Sequence, residues 1–226
     1  MSKILIVPDV HGRAFWHRAL ELVDQVDQIV FLGDYLDPYS HEGISFDLAL
    51  EEFNKILEFK KEYPDLITLL VGNHDMHYII KDFMDCSRRN TDMLDQLHKL
   101  YNSNLDLFNL IHIEDDDWLF SHAGVYKGWM DKYEFTLEDL NLKTFLGSHW
   151  PALEDLSWYR GGYNFVGSCI WADIRESAKE ELFPGYKQVV GHTQLNNKPY
   201  ITDKISCVDV RRCFILDTKT GQIENA

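Results

Sequence analysis

The chain is short of basic residues, of patterned cysteines and of long apolar runs, and each shortage closes off a class of protein. Its 226 residues hold 22 Lys and Arg against 37 Asp and Glu, a net charge of −15. A general nucleic-acid binder needs a basic stripe, so that class is set aside. The four cysteines, Cys86, Cys169, Cys207 and Cys213, form no Cys-x-x-Cys pair and no zinc-ribbon spacing. Reduced, buried thiols in a cytosolic protein are the expectation. No apolar run approaches the ~20 residues of a bilayer-spanning helix. The N-terminus goes straight into Ile4-Leu5-Ile6-Val7, without the basic and then apolar layout of a secretory signal. A soluble cytoplasmic protein with no membrane partner is expected. There is no Gly-x-Ser-x-Gly elbow, and no Lys-Ser/Thr follows Gly161-Gly162, so no Walker-type phosphate loop is implied.

What is present fits an ordinary globular chain, 45% hydrophobic and 26% charged. A chain of this length buries roughly 70% of its surface and needs no disulfide to fold. Lys3 to Pro8 is a continuous apolar run, the mark of a strand covered on both faces. Phe15, Ala19, Leu22 and Val23 follow at helical spacing, and Gln28 to Leu32 is a second strand. Ser45 is placed to cap a helix whose stripe is Phe46, Ala49, Leu50, Phe53, Ile56 and Leu57. Pro64 closes it, and Leu66 to Val71 is a third strand, giving a β-α-β-α-β opening. Helices are predicted over 76–83 and 91–101, and a hairpin over 110–121 around the acidic turn Glu114 to Asp117. The aromatic-rich stretch 126–182 is expected to form a lid or cap, its tryptophans serving as packing. Short strands close the chain over 187–190, 205–210 and 213–217. With no linker, repeat or low-complexity tract, residues 1–226 read as one α/β domain.

Five of the apolar runs stop on hard oxygen or imidazole donors. Val7-Pro8 leads to Asp9 and His11; Val30 to Gly33 leads to Asp34 and Asp37; Leu70-Val71-Gly72 leads to Asn73, His74 and Asp75. Leu119-Phe120-Ser121 leads to His122, and Val189-Val190-Gly191 leads to His192. Ligands collect beyond the carboxyl ends of strands in open α/β sheets, so one shared site is expected. Carboxylate, amide oxygen and imidazole together suit manganese first, with iron or zinc next, and suit calcium poorly. Two such ions about 3.5–4 Å apart need a shared ligand, for which Asp34 is suited, and they lower the pKa of a bridging water toward roughly 7. His74, next in sequence to Asn73, is better placed to face substrate and protonate a leaving alkoxide. Asp37 can orient its ring.

Asp9-Val10-His11-Gly12, Gly33-Asp34-Tyr35-Leu36-Asp37, Gly72-Asn73-His74-Asp75, Ser121-His122-Ala123-Gly124 and Gly191-His192-Thr193 resemble, in order, the blocks of the calcineurin-like metallophosphoesterases. The likeness covers residues 9 to 193. Gln194, where many phosphodiesterases of the family have a second histidine, and Asp37 resemble the phosphoprotein phosphatase branch and its compact bacterial and phage members. The resemblance implies a β-sandwich of two mixed sheets flanked by helices in αββα layers. It implies one ion on Asp9, His11 and Asp34, another on Asp34, Asn73, His122 and His192, and catalysis by His74 with Asp37. Two departures stand out: Asp75 replaces the usual glutamate, and Pro38 stands where the branch has a phosphate-gripping arginine. Trp158-Tyr159-Arg160 resembles the motif that supplies the other such arginine, so Arg160 is a substrate-binding candidate. Arg13 is the candidate for the missing one, with Arg175 behind it.

The expected activity is hydrolysis of a phosphomonoester by direct attack of metal-bridging hydroxide, the substrate being a phosphorylated protein or a nucleotide. Phosphoserine/threonine protein leads; a hydrolase of dinucleoside polyphosphates such as diadenosine tetraphosphate is the alternative. A non-catalytic scaffold of the same fold is a remote third, since it has no need for six ligands plus His74. Arg88-Arg89 reads as a solvated pair. His77 reads as structural or solvated, with His77 and His41 as possible linings of the site. Oligomeric state is not legible.

Overall fold

A computed structural model describes residues 2–226. The strands are β1 (Lys3–Val7), β2 (Gln28–Phe31), β3 (Ile67–Leu70), β4 (Phe108–Asn109), β5 (Ile111–Glu114) and β6 (Trp118–Ser121). They continue with β7 (Lys187–Val190), β8 (Tyr200–Ile201), β9 (Ile205–Cys207), β10 (Phe214–Asp217) and β11 (Gln222–Asn225). The helices are α1 (Arg18–Leu22), α2 (Phe46–Glu62), α3 (Asn73–Ile79), α4 (Leu94–Ser103), α5 (Lys127–Tyr133) and α6 (Leu142–Ser148). The fold is α/β, with two mixed sheets and helices around them. Two compact units divide the chain: residues up to Phe108 together with Arg211–Ala226, and Asn109–Val210.

The first unit is built on a sheet of order β11-β10-β1-β2-β3-β4. Strands β1, β2 and β3 are parallel, with Leu5 opposite Ile29 and Ile29 opposite Ile67. Their apolar runs are buried on both faces, which only a strand with cover on each side can support. The expected crossovers provide that cover. Ser45 caps α2, its Oγ accepting from the Leu48 N–H at 3.1 Å, and Ala49, Phe53, Ile56 and Leu57 form the buried stripe. Phe53 stacks on Tyr35 at 5.1 Å and on Tyr101 at 4.9 Å, locking α2 and α4 together over the strand-end loops. Truncating Phe53 would cost about 3–5 kcal/mol. The hairpin β10–β11 adds antiparallel strands on the β1 side.

In the second unit the order is β5-β6-β7-β9-β8. The acidic turn closes the β5–β6 hairpin with Asp115 and Asp116 both left-handed, φ 53° and 57°. The Asp117 N–H donates to Glu114 O at 3.2 Å across the turn. Strands β6, β7 and β9 are parallel. Ala123, Tyr126, Ala172, Ile174, Val190, Ile205 and Cys207 form one core cluster, and Trp129 packs on Phe135 and Phe145. Segment 126–182 therefore folds around α5, α6 and four short 3-10 turns.

Candidate active site

In the first unit, Asp9 and His11 follow β1, Asp34 follows β2, and Asn73 opens α3 just past β3. All four side chains are buried. The loops are held to one another by backbone bonds: the His11 N–H donates to Asp34 O at 2.7 Å and the Gly12 N–H to Tyr35 O at 2.9 Å. His11, Asp34 and Asp37 sit in the left-handed region, with φ of 46°, 55° and 59°. Such conformations cost of order 1–3 kcal/mol each and persist only where the surroundings enforce them. Gly33 makes the approach possible: its φ is +104°, and a Cβ there would lie 2.5 Å from the Gly72 nitrogen. Helix α3 begins at Asn73, three residues ahead of the predicted start, because the Asp75 carboxylate accepts from the Gly72 N–H at 2.7 Å. The His74 N–H then donates to Asp34 Oδ1 at 2.9 Å.

His11 donates from Nδ1 to Leu36 O at 2.7 Å. That fixes its tautomer and leaves Nε2 as the lone-pair nitrogen, 3.5 Å from Asp34 Oδ2. Ligand atoms of His11, Asp34 and His74 fall within 4.8 Å of one another. Burial lowers the His11 pKa well below the usual imidazole value, with help from nearby His74. Burial also raises Asp34 well above the carboxylate range, and the charge of Asp75 adds to it. A neutral imidazole and a destabilised carboxylate in one place suit a divalent cation, which restores the carboxylate charge. Asn73 turns its amide nitrogen to Cys86 Sγ at 3.4 Å, so its amide oxygen is the atom able to ligate. The donor set fits a hard-to-borderline metal ion.

His74 is held by Asp37, Nδ1 to Oδ2 at 2.7 Å. The same oxygen lies 2.9 Å from His77 Nε2, and Tyr78 Oη donates to Oδ1 at 2.5 Å. Burial would raise the Asp37 pKa, but its bonds to His74 and His77 outweigh burial and leave the pKa lowered. Burial brings His74 down to about 4 against the opposing pull of Asp37. His77 is thus fully buried against the Asp37 carboxylate, a partner its sequence neighbours did not disclose.

In the second unit, His122 follows β6 and His192 follows β7. These are adjacent parallel strands, and the Gly191 N–H donates to His122 O at 2.9 Å. His192 is left-handed at φ 61°, which brings its Nδ1 to 3.0 Å from His122 Nε2. Two imidazole nitrogens converge there. Arg160 reaches the same loop, donating from Nη2 to His192 O at 3.0 Å and Thr193 Oγ1 at 2.8 Å. Its Nε is 2.8 Å from Asp173. Arg175 pairs with Asp173 as well, at 2.7 Å.

Arg13 forms a two-pronged pair with Glu42, at 2.7 and 3.2 Å, and donates to Asp9 O at 3.2 Å. The pair Arg88-Arg89, expected to be solvated, is half-buried and hydrogen-bonded. Arg89 donates to His77 O at 2.9 Å and Lys81 O at 3.1 Å, closing the end of α3. Arg88 lies with its guanidinium 3.8 Å above the Tyr39 ring and its Nη2 3.4 Å from His74 Nε2. Sequence reasoning passed over it because nothing local marks where a loop returns.

The family model described as calcineurin-like phosphoesterase matches residues 2–201. A serine/threonine-protein phosphatase 4 catalytic subunit from Eremothecium gossypii is 35% identical over 85 residues, covering 35% of this chain and 24% of that protein. A serine/threonine-protein phosphatase 6 catalytic subunit from Drosophila melanogaster is 26% identical over 136 residues, covering 55% and 40%. The chain thus aligns with about a quarter to two fifths of the length of these relatives. Among solved structures, a cold-active protein-tyrosine phosphatase from a Shewanella species superposes with a TM-score of 0.65 at 18% identity, covering 100% of this chain and 80% of that one. A yeast protein serine/threonine phosphatase with similarity to human phosphatase PP5 gives 0.57 at 14% identity, covering 99% and 80%. At those identities the likeness is one of fold. No helix among the described residues is long and apolar enough to cross a membrane.

Proposed function

The chain belongs to the calcineurin-like phosphoesterases, and from that premise we propose that it hydrolyses phosphomonoesters with two divalent metal ions, phosphoserine/threonine protein being the leading substrate. By donor type and family pattern, Asp9, His11 and Asp34 would hold one ion, and Asp34, Asn73, His122 and His192 the other. Manganese is the first candidate, with iron or zinc next. Bound ions would supply an acidified water and neutralise charge on the phosphoryl oxygens.

The chain's own residues do the rest. His74 donates a proton from Nε2 to the departing alkoxide, so the alcohol leaves neutral. Asp37 holds Nδ1 and so keeps Nε2 turned toward substrate. In the free protein, burial favours the neutral ring; a dianionic phosphoryl group at Nε2 acts in the opposite sense and holds the proton there. Arg160, bonded to the His192 backbone, is the proposed anchor for a second phosphoryl oxygen. Four free, buried cysteines support a reducing compartment, the cytoplasm.

The observation that carries this reading is the buried His74–Asp37 pair at 2.7 Å beside the converging donors of His11 and Asp34. The manganese-loaded protein should turn over a phosphoserine peptide faster than diadenosine tetraphosphate, measured side by side. A clear preference for the nucleotide would reverse the ranking. His74→Asn should lower turnover about 10²–10⁴-fold while metal content by mass spectrometry stays unchanged; an unaltered rate removes His74 from the role.

A further inference from the structure

We infer that Arg88 is the residue that grips the substrate phosphoryl group in place of the arginine absent at Pro38, an inference that rests on the phosphatase reading above. Arg13 is neutralised by Glu42, Arg160 and Arg175 share Asp173, and Arg89 pairs with Asp85. Arg88 has no carboxylate partner among the described residues. Its Nε donates to the Asp37 backbone oxygen at 2.9 Å, and its Nη1 to Ser87 Oγ at 3.0 Å. Nη2 lies 3.4 Å from His74 Nε2, so with two N–H groups on each terminal nitrogen, Nη1 and Nη2 each keep one without a protein acceptor.

The cation is also held in place. Its guanidinium carbon lies 3.8 Å from the centroid of the Tyr39 ring, a cation–π contact that holds the charge over the ring face. The Asp37 carbonyl orients Nε, so one residue positions the proton donor through its side chain and the guanidinium through its backbone. Arg88 is itself left-handed, φ 67°, a conformation that costs free energy and is kept where the surroundings enforce it. At 3.4 Å, Nη2 and His74 Nε2 are near enough for one phosphoryl oxygen to accept from both, while the second terminal N–H is left for another oxygen. A terminal phosphate offers both oxygens; Arg on such a group is commonly two-pronged.

Pro38 fits the same account. The backbone runs from Asp37 through Pro38 to Tyr39, so a proline fixes φ directly before the ring on which Arg88 rests. The position that lost an arginine instead supports the platform for one arriving from a loop 50 residues on.

The test is calorimetric titration of manganese-loaded protein with inorganic phosphate, alongside steady-state kinetics and metal analysis. Arg88→Ala should weaken phosphate binding roughly 10–100-fold, the worth of a hydrogen bond to a charged group, with two-metal content and melting temperature preserved. Arg88→Lys should recover less than half of that loss on a logarithmic scale, because a compact ammonium cannot present the two-pronged fork of a guanidinium. If Arg88→Ala fails to fold, Arg88→Gln carries the measurement. Variants that bind phosphate as tightly as the unaltered protein overturn the inference while leaving the phosphatase reading intact. An unaltered metal-loaded protein that binds no phosphate overturns that reading, and the inference with it.

Discussion

Asp75 shows how much one buried carboxylate can organise. Its oxygens accept from the N–H groups of Gly72, Asp34 and Tyr35 at 2.7, 2.8 and 3.2 Å, and from Tyr101 Oη at 2.6 Å. The loops after β2 and β3 and the helix α4 thus meet on a single side chain with no exposure. Asp75→Asn replaces an acceptor with a donor against those N–H groups and should destabilise by about 3 kcal/mol. Thermal unfolding measures it; a shift under about 1 kcal/mol would show that the four bonds are not cooperative. The block Gly72-Asn73-His74-Asp75 was legible because its residues are contiguous. Tyr101, His77 and Arg88 were not, because their roles depend on chain segments returning from a distance, which no periodicity records.

At the scale of elements, the strands that carry the site were readable for a physical reason: both-face burial demands an unbroken apolar run, and the run ends where the donor begins. Strands β8 and β11 were missed because they are exposed edges with no such demand. The stretch 126–182 was read only as aromatic and irregular, since its short turns are stabilised by caps and packing and not by a repeat. One of those turns, Ile174–Ala178, carries Glu176. Its carboxyl is buried, accepts from the Asp173 N–H at 3.0 Å and is pushed by burial from an ordinary 4.5 up to about 7. The folded state therefore binds a proton that the unfolded state releases between those values, so this group stabilises the fold below pH 4.5 and loses that contribution as pH rises through 7. The loss is of order 3 kcal/mol. Glu176→Gln, neutral at all pH, should flatten the decline in melting temperature between pH 5 and pH 8 relative to the unaltered protein. Parallel pH curves for the two would mean that Glu176 ionises normally.

For the molecule as a whole, the balance of charge sets the terms. A chain with a net charge of −15 buries Asp9, Asp34, Asp37 and Asp75 in its first unit, and burial raises two of them, Asp34 and Asp75, above their ordinary range. Carboxylates gathered this way oppose folding unless cations offset them. The proposed ions therefore serve stability as well as catalysis, and their removal should be visible without any substrate. A metal present at about 100 times its dissociation constant stabilises by ~2.7 kcal/mol, which for a chain of this size is roughly 5–10 °C in melting temperature. Treatment with a chelator should lower the transition by that amount, and manganese in excess should restore it. His122→Ala and His192→Ala should each reduce the restored increment without lowering the chelated baseline to the same degree, because the histidines stabilise mainly through the ion. The increment should also shrink below about pH 6, where protons compete for the imidazole donors. A melting temperature indifferent to chelator across that range would mean that these carboxylates and imidazoles are satisfied by the protein alone, and the paired-metal reading would have to be abandoned.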